Sequence, residues 1–285
     1  MVIGFEATIQ ILTCSALVGL LAAVGLRLTY REVKEALLQC RFLLILLVNF
    51  FVIPLVTVVV ATCFGLKRDL AIAMVLLAAA PFAPVVPVFA RMANAELALA
   101  AGLTAVFPLV CVVLTPVVAQ ISLRAFETDH VHFDMLASVA ILLATISLPL
   151  IAGLLIQHRA PGLGQRLLRP VETISGALGA VSLAFVTATR FRSTTDLGWR
   201  AWLAMALVSE ISLLLGWNIG GPGRGARRVI ALGSSNRNIA LALLVAIQSF
   251  PGTDAAPAVV GNGLLLIALG LLHVAWWRFT GAGGR

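Results

Sequence analysis

The segment LGSSNRNIALALL, residues 232–244, places an arginine among serine and asparagine side chains within a long apolar run. A charged side chain at the centre of a membrane helix costs about 2.5–3.5 kcal/mol on insertion scales, so Arg237 needs a partner or a task. Its guanidinium can attract an anion or take the place of a bound cation. The alternative is a structural ion pair with Glu210, the only acidic residue deep within an apolar segment. Making and breaking that pair would also move a proton.

The polar neighbours of Arg237 offer oxygen ligands and hydrogen bonds. Hydroxyl and amide groups of this kind can hold an ion or a ligand carboxylate, and they can also satisfy the backbone of an interrupted helix. We expect them to do both. The residues are Ser234, Ser235, Asn236 and Asn238.

Two further polar residues lie in other apolar segments. Asn49 can reach the same region, or form an interhelical hydrogen bond worth about 1 kcal/mol. Thr104 can act as a ligand through its hydroxyl, or bond to a carbonyl of its own helix. Both are candidates for substrate or ion binding.

The composition predicts which elements must position these residues. Of the 285 residues, 61% are hydrophobic and 11% are charged, and the mean hydropathy is +1.06. Soluble domains are about 45–50% apolar and about a quarter charged. Apolar segments of about 20 residues suffice for helices that cross about 30 Å of hydrocarbon, and the alternation of a barrel is absent. The chain is therefore predicted to be an all-α integral membrane protein.

Apolar runs separated by polar residues predict about nine transmembrane spans. They cover residues 8–28, 42–66, 70–90, 97–123, 135–157, 171–190, 200–219, 228–250 and 257–277. Span 3 carries Pro81, Pro84 and Pro87, each of which removes a backbone donor, and span 8 carries Gly233 before its polar cluster. We expect both spans to break near the bilayer centre. Irregular backbone is tolerated there only within protein or beside a wet cavity, so the breaks indicate a site.

The basic residues predict the orientation. Most lie in the loops after spans 1, 3, 5 and 7 and at the C-terminus. Because loops rich in Lys and Arg face the cytoplasm, we expect a protein of the cell membrane with its N-terminus outside and its C-terminus in the cytoplasm. The net charge of +8 is thus a feature of topology, and nucleic acid is not expected as a partner. The four cysteines lack paired metal spacing, so no metal site or cofactor is predicted.

The two broken spans then run in opposite directions, and each is the penultimate span of its half. Residues 1–134 would hold spans 1–4 and residues 135–285 would hold spans 5–9. This arrangement is typical of inverted-repeat transporters, which hold substrate and coupling ions between half-helix ends. The sequence contains no catalytic triad and no phosphate loop. We therefore expect a carrier rather than an enzyme.

Three motifs resemble those of the bile acid:sodium symporter superfamily, and the chain looks like a divergent bacterial-type member. They are AAPFAPVVPVFARMANAELALAAGLTAVFPLVCVVLTP, LGSSNRNIALALLVA and NFFVIPL. The resemblance implies two inverted repeats, with the first helix of a ten-helix version missing. It also implies a core domain of spans 2, 3, 4, 7, 8 and 9, a panel domain of spans 1, 5 and 6, and a substrate crevice between them. Such proteins carry organic anions, including bile salts, steroid sulfates and small carboxylates, commonly with sodium.

The chain departs from sodium-coupled members at several ligand positions. Thr104 and Asn238 are kept. Sodium-coupled members have a Ser-Asn pair where this chain has Val86 and Pro87. They have a serine at the position of Ala100 and a glutamate at the position of Gly233. They have glutamines at the positions of Asn49 and Arg237. A cation site without its carboxylate and with an arginine repels sodium. These departures argue against a Na⁺ ion as the coupling cofactor.

The leading hypothesis is a secondary transporter of a small organic anion that works by alternating access. Its coupling would be to Na⁺, to H⁺ through Glu210, or absent. One alternative is a receptor or structural subunit that keeps the fold without transport. Another is an arsenite-type efflux transporter, although Ala80 stands where its reactive cysteine would lie. The identity of the substrate, the direction of transport and the oligomeric state stay open.

Overall fold

The computed structural model describes residues 2–126, 135–189 and 197–281, and every regular element in these ranges is helical. The α-helices are α1 (Val2–Arg27), α2 (Tyr30–Gln39), α3 (Phe42–Leu47), α4 (Ile53–Cys63), α5 (Arg68–Ala78), α6 (Val86–Met92), α7 (Leu97–Leu123), α8 (Met135–Leu142), α9 (Leu148–Arg159), α10 (Pro161–Thr189), α11 (Trp199–Ile219), α12 (Arg224–Ser235), α13 (Ile239–Ser249) and α14 (Ala255–Gly281). The predicted all-α membrane fold is confirmed.

Eight helical segments in the described ranges are long and apolar enough to cross a membrane. The one predicted span without a matching long segment is span 3, residues 70–90. It corresponds to α5 and α6, which have 11 and 7 residues and are each too short to cross a membrane alone. Nine predicted spans and eight long segments therefore agree, because one span consists of two half-helices.

Two of the long segments contain a π-helical turn. Val48–Val52 joins α3 to α4, and Leu143–Ser147 joins α8 to α9. In both cases the following α-helix has a proline in its first turn. Proline cannot donate the next i→i−4 hydrogen bond, and a wider turn accommodates that loss. The first of these turns positions Asn49.

The first predicted loop contains a helix that the hydropathy pattern did not indicate. Helix α2 begins with a capping box, in which the Thr29 side chain accepts a bond from the Glu32 amide and the Glu32 side chain accepts one from the Thr29 amide. Its Ala36 packs directly on Gly102 of α7, where any larger residue would overlap it. The capping box was the available sequence signal.

The helices form two groups. Helix α1 packs mainly along α9 and α10, whereas α5 packs on α14 and α11 packs on α12. Gly25 and Gly153 bring the backbones of α1 and α9 into contact, and the hydroxyls of Thr13 and Ser182 are 2.7 Å apart between α1 and α10. Contacts between small residues and hydroxyls are the usual adhesive of membrane helices.

Helices α12 and α13 lie at the centre of the second group. The most apolar window of residues 224–249 is 83% buried, compared with 17% for the window of α10. A span whose backbone is interrupted cannot face lipid, since each unpaired polar group there costs several kcal/mol. Its central position satisfies that requirement.

Candidate substrate and ion site

The first interruption separates α5 from α6. Helix α5 ends at Ala78, α6 begins at Val86, and Pro81 and Pro84 lie in the non-helical segment between them as predicted. Pro87 was predicted to break the span, and this is wrong, because it lies in the first turn of α6. Proline suits that position, where its missing N–H would have no helical partner.

The second interruption is three residues long. Helix α12 continues to Ser235 and α13 begins at Ile239, so the break comprises residues 236–238. The prediction that Gly233 breaks the helix is wrong, because this residue lies in the last turn of α12. It is needed for space instead, since a Cβ there would overlap the ring of Phe82. Asn238 caps the second half-helix by accepting a bond from the Leu241 amide at 3.1 Å.

The two interruptions bond to each other through their backbones. The bonds run from the Phe82 amide to the Gly233 carbonyl (3.1 Å), from the Ala83 amide to the Asn236 carbonyl (3.2 Å) and from the Asn238 amide to the Ala80 carbonyl (2.8 Å). Each break thereby satisfies groups that the other leaves without helical partners, as buried backbone requires. The two broken spans therefore meet at their breaks, and we call this contact the crossing.

Phe82 holds the crossing in place. Its φ of +58° is unusual for a non-glycine residue, and its side chain is fully buried. The ring stacks on Phe107 of α7 with 4.0 Å between centroids, and it also covers Gly233. Such a backbone conformation persists only when surrounding contacts stabilise it.

Arg237 lies in the second interruption with only 4% of its surface exposed. Its Nη1 donates a hydrogen bond to the Ala78 carbonyl at 3.1 Å, and its Nη2 has no partner among the described residues. The ion pair with Glu210, which was the alternative role for Arg237, is absent from the described contacts. Glu210 Oε2 instead lies 3.1 Å from His273 Nε2. The guanidinium is directed to the C-terminal end of α5, where helix carbonyls carry partial negative charge.

Three successive carbonyls at the end of α5 have donors from elsewhere in the chain. Arg237 donates to the Ala78 carbonyl, the Thr115 hydroxyl donates to the Ala79 carbonyl at 2.5 Å, and the Asn238 amide donates to the Ala80 carbonyl. The last carbonyls of a helix lack intrahelical donors, so the crossing acts as a cap for α5.

Arg237 lines a small pocket between α5, α11 and α14, with about 270 Å³ of empty space including its mouth. The pocket is also lined by Ser209, Ser212, Ser235 and Asn262. The Asn262 Oδ1 atom is buried and has no hydrogen-bond partner among the described residues. Sequence reasoning missed the two α11 serines, although their spacing of three residues places them on one helix face.

The other predicted site residues lie in different places. Asn49 Nδ2 donates to the Ile45 carbonyl at 2.9 Å and to Ser234 Oγ at 3.1 Å, and the second bond links the π-helical turn Val48–Val52 to α12. The Asn236 Nδ2 atom donates to the Leu232 carbonyl at 3.1 Å, and its Oδ1 is unpaired. These amides stabilise the crossing and do not line the Arg237 pocket.

Thr104 belongs to a second pocket of about 370 Å³, which Pro84, Pro87, Arg27 and Glu172 also line. Its hydroxyl donates to the Ala100 carbonyl of its own helix at 2.7 Å. Of the predicted binding residues, Ser235 and Arg237 line the first pocket and Thr104 lines the second, whereas the others line neither.

Two of the pockets lie between the α1, α9 and α10 group and the remaining helices. One contacts α1 at Ile9 and α13 at Leu243, with about 430 Å³ of empty space including its mouth. The Thr104 pocket contacts α1 between Leu20 and Arg27. The two pockets are consequently at opposite ends of α1.

Comparison with protein families matches residues 14–195 to the sodium bile acid symporter family. The chain belongs to this family. The match includes the first interruption and ends before α11, so the second interruption and Arg237 lie outside it. The family consists of transporters and not enzymes, and the long apolar helices agree with a multi-pass membrane protein. No curated protein matches the chain.

Proposed function

We propose that this member of the sodium bile acid symporter family is a secondary transporter of small organic anions, with Arg237 as the charge that attracts them. The observation that carries the proposal is the buried guanidinium at the crossing. It has no acidic partner within the described part of the chain, and it lines a pocket with other polar groups. A buried charge is tolerated when it is compensated, and an anionic ligand would supply that compensation.

The lining of the Arg237 pocket favours a carboxylate, because a buried guanidinium and several hydroxyl groups converge on it. A carboxylate oxygen can accept from the unpaired Nη2, and serine hydroxyls are available along α11. Attraction between unit charges 4 Å apart is about 4 kcal/mol at an effective dielectric constant of 20.

Alternating access would come from movement of the α1, α9 and α10 group against the other helices. These helices, together with α8, are the described parts of the predicted panel spans, and the remaining spans belong to the predicted core of the two inverted repeats. The pockets at opposite ends of α1 support two access routes, one on each side. In this proposal the protein lies in a cell membrane with its N-terminus outside and its C-terminus in the cytoplasm.

Uptake into proteoliposomes tests the function. The purified protein would be reconstituted and offered radiolabelled small carboxylates, a steroid sulfate and a bile salt, with an organic cation as a negative control. We expect uptake of one or more small carboxylates and none of the cation. Binding without flux for every anion would contradict transport and favour the receptor alternative.

Variants of Arg237 test its role. Arg237→Gln should abolish anion uptake, whereas Arg237→Lys should retain part of it because the positive charge remains. Arg228→Gln is a matched control, because Arg228 Nη1 also donates to a carbonyl at a helix end, that of Ala93 at 2.7 Å, but lies outside the pocket lining. Uptake by Arg237→Gln at the wild-type rate would refute the assignment.

A further inference from the structure

The guanidinium of Arg237 occupies the place where an unwound transporter helix would offer its carbonyls to a cation. In transporters with broken helices, the exposed carbonyls and C-terminal helix ends coordinate the coupling cation. Here the Ala78 carbonyl accepts from Arg237 Nη1, and the next two carbonyls accept from Thr115 and Asn238. The carbonyls at the end of α5 thus already accept hydrogen bonds from donors of the chain itself.

The side chains around the crossing are unsuited to sodium. Residues 78–85 and 233–238 contain no carboxylate. Val86 and Ala100 are fully buried and apolar, and the described ranges contain no group of three or more His, Cys, Asp and Glu residues placed for a metal ion. A sodium ion at this point would lie close to a buried guanidinium that has no acidic partner among the described residues, and two unpaired positive charges are unfavourable in a low-dielectric site.

We propose that Arg237 is a tethered cation that replaces a dissociable sodium ion at the crossing, so that the crossing is complete without Na⁺. The inference deepens the proposed function and rests on it, because a tethered cation has a role in a transport cycle only if the protein transports an anion. It differs from that proposal in the atoms involved. The Nη1 atom donates to the Ala78 carbonyl of α5, and the unpaired Nη2 is left for the substrate.

Thermal unfolding in detergent tests the tethered cation without any substrate. The wild-type protein should have the same Tm in sodium chloride and in choline chloride at equal ionic strength. A ligand that binds the folded state raises Tm by mass action, so a higher Tm in sodium chloride would reveal a sodium site. That result would overturn the proposal even if no transported anion had been identified.

Truncation provides the second test. Arg237→Ala should lower Tm, and adding methylguanidinium or sodium should restore part of the loss, because a small cation can then reach the carbonyl end of α5. Arg228→Ala, which removes the guanidinium at Ala93, should lose stability without any recovery by these cations. Equal recovery in both variants, or none in Arg237→Ala, would overturn the proposal. If Arg237→Ala does not fold, the wild-type comparison of the two salts decides alone.

Uptake separates this inference from the proposed function. Wild-type uptake of a small carboxylate should proceed at the same rate with choline or sodium outside the proteoliposomes. Uptake that requires sodium would overturn the tethered cation and leave anion transport intact. Absence of all anion flux, with equal Tm in the two salts, would overturn transport and leave the tethered cation intact.

Discussion

Glu210 and His273 join α11 to α14, with 3.1 Å between Glu210 Oε2 and His273 Nε2. The other ring nitrogen, Nδ1, lies 2.8 Å from the Leu269 carbonyl. Both ring nitrogens therefore face acceptors, and a neutral imidazole carries only one proton. The hydrogen bonds to the Leu269 carbonyl and to Glu210 can form together only when a second proton is shared between the imidazole and the carboxylate. The pair can hold a proton without involving Arg237.

This arrangement predicts that any coupling to protons depends on Glu210 and His273. Glu210→Gln should remove the effect of an inward proton gradient on anion uptake, while uptake without a gradient continues. The measurement is initial uptake with and without the gradient. Glu32→Gln at an exposed capping site is the control, and it should behave like the wild type. An unchanged gradient effect in Glu210→Gln would exclude the pair as the proton carrier.

The contact between Gly233 and Phe82 predicts a steric requirement at the crossing. Gly233→Ala should lower the free energy of unfolding by about 1–3 kcal/mol, because the new methyl group overlaps the stacked ring. Combining it with Phe82→Leu should recover part of that loss. Gly176→Ala on α10 is the matched control, since no atom lies within 4 Å of the added methyl group, and it should be neutral or stabilising. Unfolding in detergent, followed by circular dichroism, measures all three.

The close approach of α1 and α9 predicts that Gly25 cannot be enlarged. A methyl group at this position overlaps the Leu150 carbonyl, and backbone cannot move aside as a side chain does. Gly25→Ala should therefore separate the helices, lower Tm and reduce uptake. Gly179→Ala on α10 should leave both unchanged, because its methyl group would be 3.7 Å from Ala16. Wild-type Tm in Gly25→Ala would show that the two helices are not in contact.

The hydrogen bond between Asn49 and Ser234 predicts energetic coupling between the π-helical turn Val48–Val52 and α12. A double-mutant cycle of Asn49→Ala and Ser234→Ala should give a coupling energy of about 0.6–1 kcal/mol, as found for polar contacts between membrane helices. Thr62→Ala is a control, since its hydroxyl bonds only to a carbonyl of its own helix. Additive effects of the two alanine substitutions would mean that the bond is absent in solution.

The sequence pattern was sufficient for the main features of the fold. Apolar length predicted the spans, and the prolines predicted the first break, since both effects are local. The exact break positions were missed because local signals are ambiguous. Pro87 is compatible with the start of a helix, and Gly233 is demanded by a ring from another helix. The capped helix α2 is too short and polar to be found by a search for membrane spans.

The partners of the site residues could not be predicted in the same way. The sequence places Arg237 and Glu210 within apolar segments, but which helix faces meet depends on the packing of α5, α11 and α14. In the structure, the arginine turns to a carbonyl and the glutamate turns to His273. Thr104 lies in another pocket for the same reason, because its helix presents it to α1 and α10.

The backbone bonds at the crossing constrain how the chain can assemble. Phe82 and Ala83 need acceptors at Gly233 and Asn236, which are made some 150 residues later. Until then, the first broken span leaves the ribosome with amides that lipid cannot satisfy. Biogenesis must therefore shelter this segment, in the translocon or beside another helix, until the second half of the polypeptide has been inserted.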